Sequence, residues 1–217
     1  MILYRLDASI RTDGSHSRQI ADLVEGEWRA AHPGGAVVRR DIGAQALPSE
    51  AWATALSAAR TPAAERSPAE VRAAALATML VDEMVGADAL VFAVPLYNYG
   101  VSQHFKTWVD VVVTDPRMAA GGEIAIAGKP AVLVAVRGGA YGPGTPREGW
   151  DHATPWMRRI LADLWRLDLR VVESELTLAG VNPALEQFRD LAAQKRSEAD
   201  ELARVHGRDL AQQSVRA

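Results

Sequence analysis

The sequence predicts a doubly wound α/β protein: a single domain over residues 1–217, with a parallel five-stranded sheet in the order 2-1-3-4-5 and helices on both faces. Three observations predict it. Short apolar runs alternate with segments of helical periodicity, the order that gives a parallel sheet covered on both sides. The third and fourth runs are apolar throughout, as central strands require. The second and fifth carry charges, which belong at sheet edges, and the order 2-1-3-4-5 puts them there.

The elements follow in turn. ILYRL at 2–6 reads as the first strand, and Ile20, Leu23, Val24 and Trp28 mark one face of the first helix. AVVRR at 36–40, with Arg39 and Arg40, is the second strand, and Leu76, Met79, Leu80 and Met84 form the second helical face. ALVFAV at 89–94 is the third strand, stopped by Pro95, and Phe105, Trp108, Val109 and Val112 give the third helix. AVLVAV at 131–136 is followed by a helix carrying Met157, Ile160, Leu161 and Leu164. LRVVESEL at 169–176 is the charged fifth strand, and a more polar helix over 184–205 lies on the surface. Two connections, 41–68 and 114–130, are longer than a simple crossover needs, which suits function, motion or an interface.

Composition narrows the function. The chain has 217 residues, a formal net charge of −3 and no cysteine. Disulfides, thiolate metal ligands and a thiol nucleophile are therefore excluded. No HExxH or Cys/His cluster points to a metal site. The weak negative charge does not fit a general nucleic-acid binder. No apolar run has membrane-spanning length, and the chain opens on a strand rather than a basic leader, so a cytoplasmic protein with no membrane partner is expected.

In an open parallel sheet, ligands bind beyond the carboxyl ends of the strands where their order reverses. Three loops leave those ends. DASIRTDGSHS at 7–17 offers the hydroxyls of Ser9, Ser15 and Ser17, the charge of Arg11 and the amides of a helix starting near Ser15 and His16. It reads equally as a phosphate site or as a capped turn. PLYNYG at 95–100 places Leu96, Tyr97, Asn98 and Tyr99 after Pro95, a set that suits a planar heterocycle or a turn with packed tyrosines. RGGAYGPG at 137–144 follows Val136, and Gly138 and Gly139 let a backbone approach a ligand or simply make a turn. All three lie on neighbouring strand ends. Together they fit the phosphate, the ring face and the ring edge of flavin mononucleotide (FMN).

Across most of its length the chain resembles the FMN-dependent NADH-azoreductase family, also described as NADH:quinone oxidoreductases, with a flavodoxin-like fold. The resemblance rests on SIR at 9–11 with SHS at 15–17, LPSEAWATAL and SPAEVRAA in the 41–68 connection, ADALVFAVPLYNYG, FKTWVDVVV, GKPAVLVAVRGGAY and DHATPWMRRIL. It implies that Ser9 and the segment Ser15, His16 and Ser17 hold the FMN phosphate. Leu96, Tyr97, Asn98 and Tyr99 would wrap the ribityl chain and ring, and Val136, Arg137, Gly138 and Gly139 would border the ring edge. Leu96, Tyr99, Val136 and Ser102 stand where the family usually has Met, Phe, Ser and Pro. Only the change at Val136 removes a hydroxyl that the flavin would use.

The resemblance further implies electron transfer from NADH or NADPH through FMN to a quinone or azo acceptor by a ping-pong mechanism. No obligatory acid–base residue is needed, because the cofactor carries the chemistry. Arg137 is expected either to face the reduced ring or to form a surface salt bridge, and Tyr141 to border the substrate. His104 and His152 are candidates for supplying a proton; His32 and His206 suggest no role. Family members are typically homodimers with the flavin near the interface, which makes the 41–68 connection with Trp52 a candidate contact, its Ala-rich stretch reading equally as a solvent-exposed helix. A flavodoxin-type electron carrier and a flavin reductase that releases reduced FMN are the alternatives.

Overall fold

Alternation along the first strand sorts the core into two layers in the computed structural model, which describes residues 1–145 and 147–214. β1 (Ile2–Asp7) sends Leu3, Arg5 and Asp7 to one face and Tyr4 and Leu6 to the other, all of them buried. α1 (His16–Ala31) covers the first face with Ile20, Ala21, Val24 and Trp28. β2 (Ala36–Asp41) pairs in parallel with β1 at the sheet edge. Between β2 and the central strand β3 (Ala89–Tyr97) lie α2 (Ala51–Arg60) and α3 (Pro68–Val85). Ser67 and Glu70 start α3 with a reciprocal capping box.

A two-residue strand, β4 (Gly100–Val101), folds back antiparallel on β3 and leads into α4 (Gln103–Val112). β5 (Pro130–Val136) follows, then α5 (Thr154–Arg158) continuing as a π-helical turn over Arg159–Leu164. β6 (Asp168–Ser174) closes the sheet and α6 (Arg189–Ser214) returns across it. The parallel strands run β2-β1-β3-β5-β6, the predicted order, with β4 attached to β3. On the second face Tyr4 and Leu6 meet an aromatic cluster in which Phe105 stacks on Trp108 at 5.5 Å and Trp165 meets Trp108 edge-on at 5.6 Å.

Several expectations need correction. Pro95 does not stop the third strand, which continues to Tyr97 and pairs Pro95 with Val136. Ala93 points its carbonyl at β1, so residue 95 does too, and β1 pairing has already ended at Ala93. The missing N–H of proline therefore costs no ladder bond. The fifth strand ends at Ser174 rather than 176, and Leu176 takes a left-handed φ of 58° that turns the chain away. The last helix begins at Arg189, after a 3-10 turn over Pro183–Phe188. It is a structural layer rather than a surface rod: Ala199, Ala203, Gly207, Leu210 and Ala211 are buried. Met79 is exposed, because α3 turns Ala73, Ala77, Leu80 and Met84 inward instead.

Arg5 is the exception to an apolar core. Its guanidinium donates to Asp7, to Asp22 at 2.6 Å, to Glu25 at 3.0 Å and to the Arg18 carbonyl at 3.1 Å. Removing one member of such a pair strands the other charge in the interior. Arg5→Ala is expected to lower the unfolding free energy by about 3–5 kcal/mol, measured by urea denaturation against the parent protein.

Candidate functional site

The carboxyl ends of β1, β3 and β5 bring the three loops to one crevice. It is lined by Ser9, Arg11, Ser15, His16 and Ser17, by Pro95, Leu96 and Tyr97, by Val136 and Gly138, and by Thr177 and Leu178. Its cavity volume is about 170 Å³, open to solvent on one side. Pockets that engulf a drug-sized ligand run to roughly 300–1,000 Å³, so this niche suits one end of a larger molecule.

The niche begins at the N-terminus of α1. Ser15 is the N-cap residue, but its hydroxyl makes no cap bond and lies 3.2 Å from the Ser17 hydroxyl instead. First-turn amides have no partner within a helix, so those of His16, Ser17 and Arg18 remain available to an anion. Ser9, Ser15 and Ser17 are all buried here. Ser9 Oγ accepts from the Arg11 amide at 3.2 Å, and the Tyr97 hydroxyl reaches across to the Ile10 amide at 3.2 Å. The His16 ring turns the other way, to Arg196 of α6 at 2.7 Å. Burial and the positive charges of Arg196 and Arg11 lower its pKa.

Two residues that sequence reasoning missed hold this loop. Arg18 donates to the Ser9 carbonyl at 2.9 Å and the Arg11 carbonyl at 3.0 Å while gripping Asp41 at 2.6 and 2.8 Å. Gly43, just beyond β2, lies so close that a Cβ there would stand 1.9 Å from the Ser9 carbonyl oxygen. No local pattern marks Arg18. The glycine directly after a strand was a visible signal.

The other loops are only partly gathered. Asn98 and Tyr99, with φ of 49° and 67°, are the two central residues of the β3–β4 hairpin, and the primed turn that left-handed pair makes matches strand twist. Both are exposed and neither lines the crevice. Tyr99 instead packs edge-on against Tyr141 and Trp150, at 6.1 and 5.4 Å. Gly138 packs against Leu178: a Cβ there would fall 2.6 Å from Leu178 Cδ1, so the leucine side chain would have to shift. Thr177 and Leu178 follow the last strand, whose neighbourhood to the fourth was already implied by the predicted order. Gly139, His104 and His152 lie outside the crevice lining.

Arg137 corrects a sharper expectation. Its guanidinium points away from the crevice, to Asp151 at 2.6 Å, to Glu175 at 3.2 Å and to Glu173. Three carboxylates on one side outweigh any pull toward the glycine pair, so the side chain is a tether. Asp151 in turn accepts from the amides of Ala153 and Thr154 at the start of α5. Burial alone would raise the Asp151 pKa, but these hydrogen bonds and Arg137 hold it below the ordinary carboxylate value.

Comparisons with known proteins show the family and the fold. A family described as having a flavodoxin-like fold matches residues 1–203. A protein of Frankia casuarinae named FMN-dependent NADH:quinone oxidoreductase is 40% identical over 205 residues, covering 94% of this chain and 97% of its own. The chain belongs to this family. A second relative of the same name, from Streptomyces avermitilis, is 34% identical over 210 residues, covering 96% of each chain. The azoreductase AzrA shares the fold at TM-score 0.76 and 19% identity, covering 96% of this chain and all (100%) of its own. An FMN-dependent NADH-azoreductase of Bacillus anthracis, solved with FMN, aligns at TM-score 0.73 and 14% identity, covering 94% of this chain and 98% of its own.

The 7–18 segment is tied to the end of β2 by the Arg18–Asp41 ion pair. Asp41 sits below its ordinary pKa although burial pushes it up, because Arg18 and the amides of Ala44 and Gly43 outweigh that burial. A carboxyl group depressed on folding stabilises fully above its unfolded pKa, near ~4, and loses that contribution as pH falls through the folded value. Arg18→Ala removes the largest lowering contact. Thermal melts of this variant are expected to lose less stability below about pH 4.5 than those of the parent.

Proposed function

We propose that the protein is an FMN-dependent oxidoreductase that takes electrons from NADH or NADPH and delivers them to a quinone or an aromatic azo compound, the reductant leaving before the acceptor enters. One observation carries this reading: three buried serine hydroxyls and an uncapped helix N-terminus converge on a niche between the strand ends. Buried hydroxyls cost free energy unless they are hydrogen-bonded, and Ser15 and Ser17 have mainly each other. A phosphate would satisfy both hydroxyls and amides. The donor set therefore fits the phosphorylated tail of FMN, and it is flanked by the flat side chain of Tyr97.

Bound FMN would supply the two-electron, hydride-accepting chemistry that no side chain in the crevice offers. The chain's own residues bind and orient. Ser9, Ser15, Ser17 and the amides of His16 to Arg18 would hold the phosphate, with Arg11 adding charge. Leu96 and Tyr97 would border the ribityl chain, and the hairpin with Asn98 and Tyr99, outside the niche itself, would border the ring. The backbone amides of Gly138 and Gly139 would serve the ring edge, where donors favour the negative charge of reduction. Val136 leaves the edge one hydroxyl short of the usual family pattern. Arg137 acts as a positioning residue through Asp151.

A second copy of the chain completes the site in this reading. The niche is small, and Leu178 and Val181 beside it are exposed apolar side chains, as is Trp52 on α2. Such exposed groups suit a partner surface. No helix among the described residues is long and apolar enough to cross a membrane, which together with a cysteine-free chain suits the cytosol.

The deciding measurement is an absorption spectrum of the purified protein before and after anaerobic NADH. Flavin bands that bleach with NADH and return with menadione are expected; a protein that takes up no added FMN overturns the reading. Gly43→Ala must displace the Ser9 carbonyl. It is expected to weaken FMN about tenfold, roughly 1.4 kcal/mol, while riboflavin, which lacks the phosphate, changes little in fluorescence titrations.

A further inference from the structure

A second cavity, of about 330 Å³, adjoins the niche on its α6 side, and His16 and Thr177 line both. Its volume falls within the range of small-molecule pockets. One wall comes from the first turns of α6. Arg189, Ala192, Ala193 and Arg196 fall at i, i+3, i+4 and i+7, a single helical face, and all four line the cavity. The chain leaving β6 gives the opposite wall, with Leu176 and Ala179 buried in it.

Ser174 supplies the floor. Val172 of β6 belongs to the core layer beneath α1 and α6, and Ser174, two residues on, faces the same side. It is fully buried, yet its hydroxyl has no hydrogen-bond partner among the described residues. A buried hydroxyl in that state costs free energy until a ligand bonds it.

The charge around this floor is positive. Arg196 is a fixed cation, donating from Nε to Asp200 at 2.7 Å and from Nη1 to the His16 ring at 2.7 Å. Its Nη2 bonds no group among the described residues. Arg189 stands at the rim, paired with Glu186 at 2.7 Å. Glu175 is the one carboxylate in the described lining, and it is turned to Arg137 at 3.2 Å and the Tyr141 amide at 3.2 Å. The positive end of α6 adds to the two guanidinium groups.

We propose that this cavity holds the adenosine monophosphate half of the reduced dinucleotide, its phosphate on Arg196 and Arg189 and its purine against Leu176, Ala192 and Ala193. Planar guanidinium forks match phosphate oxygens. Two alanines on one helical face leave a smooth wall for a flat base, and Ser174 meets the polar edge of the nucleoside. Resting on the FMN reading above, this is the reductant's handle, a part of the substrate that does not react but holds the part that does. His16 joins the two ligands, with its amide at the niche and its ring on Arg196.

The test compares NADH with reduced nicotinamide mononucleotide, which carries the same hydride but no adenylate, in menadione-coupled turnover of the FMN-loaded protein. Ala193→Glu, at an exposed helix position, puts a carboxylate into the wall. It is expected to raise KM for NADH about tenfold and to leave kcat/KM for the mononucleotide within about twofold. Arg196→Gln is expected to act in the same direction, and Arg196→Lys to recover part of the loss. In calorimetry AMP is expected to bind, to compete with NADH and to weaken as salt is raised, while Ser174→Ala weakens it about fivefold. Equal losses for both reductants, no loss for either, or adenosine or inorganic phosphate binding as tightly as AMP would overturn the proposal. AMP that binds without competing with NADH would overturn the reductant assignment. A protein that takes up no FMN yet binds AMP through Arg196 sinks the flavin reading and leaves this cavity standing. One whose flavin bleaches with NADH but which ignores AMP does the reverse.

Discussion

Two carboxylates, Asp7 and Asp41, stand at neighbouring strand ends where the chain must build its ligand loop, and two guanidinium groups make that tolerable. Arg5 neutralises Asp7 from beneath, and Arg18 grips Asp41 from the first turn of α1. The loop at 8–15 has little apolar surface of its own. Its shape therefore comes from directional contacts, above all the two carbonyl bonds from Arg18. A planar group with several donors in a fixed fork suits that task in a way a lysine would not. The serine side chains and the N-terminus of α1 then line one niche.

A third guanidinium repeats the device at the other end of the site. Arg137 follows the strand that borders the glycine pair, yet it looks toward Asp151, Glu173 and Glu175. The effect is to fix the start of α5 and the segment carrying Tyr141, Arg147 and Trp150. Charge in this protein is thus spent mostly on geometry. The groups left to meet ligands are backbone amides, hydroxyls, aromatic faces and a few cations at the rim.

The open character of the crevice follows from the same economy. The loops at the strand ends diverge: one builds the niche, one turns back as the β3–β4 hairpin, and one sweeps out to pack Tyr141 and Trp150 on Tyr99. A narrow niche for a charged tail lies between them, and a broader apolar cavity lies past Gly139.

Strand order, the two central strands, the helix start at Ser15 and the loops that meet at the crevice were all legible in the sequence, because apolar periodicity and the position of charged strands are local patterns. Side-chain direction was not. Arg137 could face either way until Asp151, Glu173 and Glu175, distant in the chain, were brought beside it. Pro95 reads as a strand stop until the sheet shows that β1 has already ended on that side. Arg18 and Leu178 carry no local mark, since their roles lie in contacts with residues far along the chain or across a turn. What the sequence determined by itself was which segments bury and in what order they stack; which charges pair and which surfaces stay open depended on three-dimensional neighbours, because electrostatic and packing partners are set by distance in space and not by spacing along the chain.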